Sequence, residues 1–224
     1  MSVTSRTISG PDQHSFLLAA MAAALFAMLC WSAPAHAAPS ANDLFLEQIY
    51  PDGGQTLYCD TSFAPGDRVR IERIYPDRQL LQHVGCANAR RCQNNPAYVR
   101  ASNDMHQMFP IERQSDLDRR GALFGELRSG VPTSQRCGYR LGFQTFEPAE
   151  ATRGVIARAM IYMHVQHGLP IAGSYEMFLR WHEASPPEAA ERERNALIGD
   201  IQGNRNPFID NPESMREVAP PALF

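Results

Sequence analysis

The residues that could do chemistry in this chain are few. Beyond the first forty residues the histidines are His83, His106, His164, His167 and His182. An imidazole titrates near neutrality, so each could take or give a proton. His164 and His167 stand three apart on a predicted helix and could share a metal, but no third ligand accompanies them and they read as a polar stripe. His182 lies in Trp181-His182-Glu183, a packing context. Gln82-His83-Val84 and Asp104-Met105-His106 remain as the candidates for proton transfer. All 21 basic residues are arginine. Any phosphate or carboxylate must therefore be gripped by a guanidinium fork or a backbone amide.

Charge follows the chain unevenly. Residues 38–67 carry five acids and no arginine, residues 68–158 hold fifteen arginines against nine acids, and the remainder returns to a net negative charge. The overall charge of −3 gives no general attraction to polyanions. The central arginine-rich block is nevertheless compatible with a surface that reads a nucleic-acid backbone, or with ordinary solvated faces.

Four cysteines, Cys59, Cys86, Cys92 and Cys137, remain once Cys30 is assigned to a leader. In an oxidising compartment they read as two disulfides with three possible pairings. The preferred one joins Cys86 to Cys92 in a short loop and Cys59 to Cys137 across a long one. A four-cysteine zinc site is disfavoured because no CxxC pair is present.

The elements that must position these side chains mix strand and helix. Thr56-Leu57-Tyr58 forms a candidate strand, and alternation around Val69 to Tyr75 suggests a half-buried second one. Residues 96–108 read as a helix ended by Pro110, and 137–146 as a strand. The strongest helix spans 153–167, with Val155, Ile156, Ala159, Met160 and Met163 on one face, Thr152 as cap, and Gly168 and Pro170 as stop. A shorter helix covers 175–183, and a third runs from Pro187 to Gly203. No βαβ alternation is present, so the expected class is α+β. Residues 1–37 read as a signal peptide: an apolar run from Leu17 to Trp31, too short for a membrane span, precedes Ala35-His36-Ala37. Residues 38–213 form the expected domain, and 214–224 a flexible tail.

Five ordered blocks resemble the bacterial endonuclease I family of secreted or periplasmic nucleases. They are Thr56-Leu57-Tyr58-Cys59, Asp104-Met105-His106-Gln107-Met108-Phe109-Pro110, Asp116-Leu117-Asp118-Arg119 with Phe124-Gly125-Glu126, the segment from Arg153 through Tyr162-Met163, and Gln202 to Pro212. The resemblance implies a ββα-metal (His-Me finger) core with surrounding helices. Its activity would be endonucleolytic hydrolysis of DNA, or of RNA, with little sequence preference, by a monomer in the periplasm or outside the cell. The family's chemistry belongs to a Glu-His-x-x-Pro element, which is matched here to Gln82-His83-Val84-Gly85-Cys86. On that match His83 is the general base. A divalent cation, Mg²⁺ or a similar ion, is held by Gln82 and by Asp116 at the family's asparagine position, with carboxylate and amide exchanged. Asp118 is the alternative ligand. Arg90, Arg91 and Arg119 are implied as phosphate or substrate contacts. Gln82 in place of the family glutamate leaves a second reading open, a scaffold that binds nucleic acid without cutting it.

Overall fold

The computed structural model describes residues 41–218. Its centre is helix α6, Glu150–His167, whose residues from Ile156 to Met163 are all buried. A helix wrapped on every side belongs inside the core and not on its rim, so the single apolar face expected from the sequence is only part of what this helix covers. Ala157, Ile161 and Tyr162 are buried with it, and so is Arg158 at 1% exposure. Arg158 is tolerated because its Nε and Nη2 fork onto Glu191 at 2.7 and 2.5 Å while Nη1 donates to the Ser185 carbonyl at 2.7 Å. That charge-assisted pair ties α6 to the later helix α8, Ala189–Gln202.

Helix α7, Tyr175–Ala184, packs along α6, burying Met177, Phe178 and Trp181. The approach is close because Gly154 has no side chain: a Cβ there would lie 2.1 Å from the Ser185 carbonyl oxygen. Gly168 ends α6 in the left-handed conformation expected of a glycine stop. The cap is not the expected one. The helix begins at Glu150 after Ala149, and Thr152 bonds back to the Ala149 carbonyl at 3.0 Å. Helix α8 likewise begins at Ala189 and not at Pro187.

The strands are short, and they gather into three small sheets around these helices. In chain order the first elements are helix α1 Ala41–Ile49, strands β1 Gly54–Gln55, β2 Ser62–Phe63 and β3 Arg70–Arg73, and helices α2 Asp77–His83, α3 Ala89–Cys92 and α4 Pro96–Ser102. Strand β4 Met108–Ile111, helix α5 Arg113–Arg119, and strands β5 Leu123–Phe124, β6 Arg140–Gly142 and β7 Thr145–Glu147 follow. After α8 come α9, Pro207–Asp210, and a 3₁₀ turn over Pro212–Glu217. The α+β class expected from the sequence is observed.

The pair that positions the candidate site is β3 with β4. They run antiparallel with Glu72 opposite Phe109 and Arg73 opposite Met108, and β4 leads directly into α5. The sequence expectation of one helix over 96–108 fails here. Helix α4 stops at Ser102, a 3₁₀ turn covers Met105–Gln107, and Met108 to Ile111 are strand. Pro110, read as a helix stop, sits inside that strand, a place open to proline on a two-stranded edge. Thr56-Leu57-Tyr58 forms a turn and no strand, and 137–146 divides into β6 and the start of β7.

Two disulfides join Cys59 to Cys137 and Cys86 to Cys92, the preferred pairing. The tail expected to be loose after Pro212 is ordered through Val218: Met215 is fully buried, and its carbonyl accepts a hydrogen bond from the Tyr175 hydroxyl at 2.6 Å. Among the described residues no helix is long and apolar enough to cross a membrane. The signal peptide expected over 1–37 lies outside the described residues.

Candidate active site

Strand β3 alternates. Ile71 packs beside the small core of Phe45, Ile49, Met108 and Ile198, and Arg73 reaches the Ser102 carbonyl at 2.7 Å and Asn42 Oδ1 at 3.1 Å. Arg70 and Glu72 engage residues of α5 instead. Glu72 is buried, and its Oε1 accepts from Arg119 Nη1 at 2.6 Å. Tyr58 donates to Glu72 Oε2 over a long 3.4 Å. Asp116, one turn before Arg119, is half exposed, with its Oδ2 4.0 Å from Arg70 Nε. The antiparallel pair and the helix after it thus bring two carboxylates and two guanidiniums together.

The electrostatics of this cluster are unbalanced. Burial pushes the Glu72 carboxyl above the usual carboxylate range, Arg119 opposes that, and Asp116 adds to it by like-charge repulsion. Burial also pushes the Tyr58 hydroxyl well above its ordinary value, and Glu72 reinforces the shift. A buried carboxylate raised in part by a neighbouring carboxylate is a place where a cation would be stabilising. The donor set, hard carboxylate oxygens on two residues, suits Mg²⁺, which keeps several of its own waters and needs few protein ligands. Among the described residues no three His, Cys, Asp or Glu side chains group as a metal cage, so a cation here would draw on two carboxylates and would need water to fill out its shell. The residues present fit such an ion.

Arg119 is held from several directions. Beside its bond to Glu72 it donates to the Ile74 carbonyl at 3.0 Å and lies over the Phe124 ring at 4.4 Å. The salt bridge is therefore to an acid of β3, reached across the sheet. Asp118, the alternative metal ligand, is otherwise engaged: the Tyr139 hydroxyl donates to it at 2.5 Å and Gln114 at 2.7 Å.

The other expected site residues lie elsewhere. Gln82 and His83 are exposed at the end of α2, and no hydrogen bond or ion pair joins either to Asp116. His83 lines a separate hollow of about 170 Å³ with Val84, Arg100, Gln166 and His167. Arg90 and Arg91 are exposed on α3, whose start is capped by Asn88 accepting from the Arg91 amide at 3.1 Å. The Cys86–Cys92 bridge closes over that short segment. So the structure brings Asp116 and Arg119 together, and does not bring Gln82, His83, Arg90 or Arg91 to them.

Glu72 was missed, and the signal for it is present in the sequence. Glu72-Arg73-Ile74-Tyr75-Pro76 keeps the first and last residues of the Glu-His-x-x-Pro pattern, ten residues before the histidine-bearing match. The expectation over Gln82 and His83 weighted the histidine over the carboxylate and the proline. The departure at this position is Arg73, which stands where the pattern has histidine.

The remaining motif residues are structural. Asp104 is buried and accepts from His167 Nε2 at 2.8 Å, Tyr162 at 2.7 Å, Gln202 at 3.0 Å and the His106 amide at 3.0 Å. Burial raises its pKa, but these bonds outweigh it and hold the carboxyl below its ordinary value. His106 Nε2 donates to the Asn204 carbonyl at 2.9 Å. Gln107 accepts from the Tyr75 amide at 3.1 Å and donates to the Ala101 carbonyl at 2.5 Å, clamping the end of β3 to α4. His164 binds the Leu169 carbonyl at 2.6 Å, so it and His167 serve different partners.

Comparison with known proteins fits this arrangement. The Endonuclease I family model matches residues 53–213. An extracellular deoxyribonuclease of Aeromonas hydrophila is 28% identical, over 80% of this chain and 92% of the relative. A periplasmic deoxyribonuclease of the same organism is 30% identical over 64% of this chain and 63% of its own length. An extracellular ribonuclease of Bacillus amyloliquefaciens is 28% identical over 51% of this chain and 46% of the relative. The match extends over both strands of the β3–β4 pair, the helix after it, the central helix and the glycine-asparagine turn, and the chain belongs to the endonuclease I family.

Proposed function

We propose that the protein is an exported, monomeric endonuclease that hydrolyses the phosphodiester bonds of DNA with little sequence preference, using one divalent cation held by Glu72 and Asp116. Family membership supports the hydrolytic activity, and the relatives' names supply the substrate class and the location outside the cytosol. The observation that carries the site is the pair of carboxylates, Glu72 on β3 and Asp116 on α5, near enough for the charge on Asp116 to raise the Glu72 pKa, with Arg119 on Glu72 and Arg70 beside Asp116.

On this reading the β3–β4 pair and α5 are the family's ββα finger. A divalent ion bound there would neutralise phosphate charge and lower the pKa of a water that it holds. Glu72 supplies a fixed oxygen because Arg119 and Tyr58 restrain its carboxylate. Arg119 is a positioning residue, buried, with both terminal nitrogens engaged by Glu72 and the Ile74 carbonyl and its guanidinium over Phe124. Arg70, half exposed and only loosely paired, is the group free to meet a phosphate oxygen. Arg73 cannot take a proton from water at any working pH, because its guanidinium stays charged. On this register the family's imidazole position is held by Arg73, and His83, which lines a separate hollow, is not assigned the base role in this reading.

A plasmid-nicking assay with Mg²⁺ and with chelator tests the reading. Parent protein should nick with Mg²⁺ and stop with chelator. Asp116→Ala should lose on the order of 10²-fold or more in rate, in line with the several kcal/mol that a cation contributes to transition-state charge, and His83→Ala should stay within about threefold. Salt-sensitive DNA binding by the parent with no nicking under any cation would instead establish a binding scaffold, the outcome that Arg73 makes worth testing.

A further inference from the structure

We infer that the cavity on the far side of Arg119 is a subsite for single-stranded DNA, in which an unstacked base lies on Phe143 and the flanking phosphates meet Arg78 and Arg120. The inference rests on the nuclease reading and extends it to how a strand is led to the carboxylates.

The cavity holds about 690 Å³ and opens between the first turn of α2, the turn after α5 and the β6–β7 hairpin. That is ample for a ligand group of nucleotide size. Phe143 sits at the tip of the hairpin and is 91% exposed, whereas the next most exposed large apolar residue among those described, Val165, reaches 53%. Among the described residues nothing covers this ring, and it makes no aromatic contact. An isolated exposed phenyl offers a π-face that any base can stack on.

The charge around it is suited to a polyanion. Arg78 and Arg120 line the same cavity, and among the described residues neither side chain has an ion pair or a hydrogen bond. Neither of the two acids on the rim forms an ion pair with Arg78 or Arg120 among the described residues. Asp118 accepts from Tyr139 and Gln114, and Glu126 accepts from Arg180 and Trp181 at 2.8 and 2.9 Å. Arg119 joins the two regions. It lines the cavity while binding Glu72, and its buried Nε has no partner.

The backbone adds an independent observation. Only three non-glycine residues described have a left-handed φ, and two of them, Arg120 at 37° and Gln144 at 55°, line this cavity. Glycine would relieve both positions, so the side chains persist where the backbone disfavours them. A duplex keeps its bases stacked on one another and presents only edges and phosphates. The occupant that uses a phenyl ring and two free guanidiniums together is a strand whose bases are unstacked.

The test is binding in chelator, read by fluorescence anisotropy of a labelled DNA decamer, with an abasic decamer as control and plasmid nicking with Mg²⁺ run separately. Phe143→Ala should weaken binding of the base-bearing decamer about tenfold and leave the abasic decamer unchanged, as expected for loss of one stacking contact. Phe143→Trp should restore the parent affinity. Arg78→Ala and Arg120→Ala should each weaken both decamers and lower the salt slope by about 0.7. No loss in Phe143→Ala, or an equal loss on the abasic strand, would overturn the subsite. Because chelator removes cleavage from the binding measurement, failure of the nuclease reading would appear only in the nicking arm.

Discussion

Removing the charge of Arg119 while keeping its bulk, as in Arg119→Met, should destabilise the fold in a strongly pH-dependent way. Both members of the Arg119–Glu72 pair are buried, with side-chain exposures of 5% and 8%, so solvent screens little of their interaction. Breaking one side of such a pair typically costs about 3–5 kcal/mol because a buried charge is left uncompensated. In the variant, burial and Asp116 would still raise the Glu72 pKa, while the opposing influence of Arg119 would be gone. A carboxyl whose folded pKa is raised contributes stability below its unfolded value, near 4.3, and loses it as pH rises through the folded value. As pH falls the variant's Glu72 can take up a proton and the penalty shrinks; as pH rises it is forced to ionise and the penalty grows toward the full figure. Loss of the guanidinium over Phe124 adds about 1 kcal/mol at both pH values. Urea unfolding followed by circular dichroism, at pH 5 and pH 8 in chelator, measures the difference. Mg²⁺ at pH 8 should recover part of the loss. An equal penalty at both pH values, or none at either, would refute the placement of an ionised, cation-ready Glu72 in this pocket.

Other outcomes follow from the same structure. Replacing Cys59 and Cys137 by serine removes a bridge across 78 residues and should cost about 4.5 kcal/mol in urea unfolding, against about 2 kcal/mol for the Cys86–Cys92 bridge across 6, because the longer loop frees more chain entropy. Gly154→Ala forces a methyl against the Ser185 carbonyl and should lower stability by about 1–3 kcal/mol, seen as a lower Tm. Burial holds the His106 and His182 imidazoles below their ordinary pKa. A depressed histidine contributes stability that is complete above about pH 6.5 and is lost as pH falls toward the folded value. Thermal melts from pH 7.5 to 5 should therefore show falling Tm, with a shallower fall in His182→Gln.

Much of the fold was legible in the sequence because helices announce themselves through period and stop signals. The helices at 150–167 and 175–184 follow apolar spacing and glycine or proline stops, as expected. The strands were harder. With two to four residues each, they are too short for alternation to register, and Met108-Phe109-Pro110-Ile111, buried on both sides, has the run of apolar residues that a helix can also show. The four cysteines gave a pairing that the structure repeats, since separation alone favours one short and one long loop. For the candidate site, Asp116 and Arg119 came from a spaced motif, and both lie near Glu72. Glu72 did not, because its chemistry depends on a partner 47 residues away and because the adjacent arginine disguises the element. A histidine drew attention to positions 82 and 83 that local sequence could not locate in space.

The most direct measurement is calorimetric titration of Mn²⁺ into the full-length protein, its Glu72→Gln and Asp116→Asn forms, and a Gln82→Ala, His83→Ala double variant. The parent should show one site, either carboxylate variant at least tenfold weaker binding, and the double variant parental affinity. Parental affinity in Glu72→Gln, together with loss of binding in the double variant, would contradict the assignment of the ion to Glu72 and Asp116.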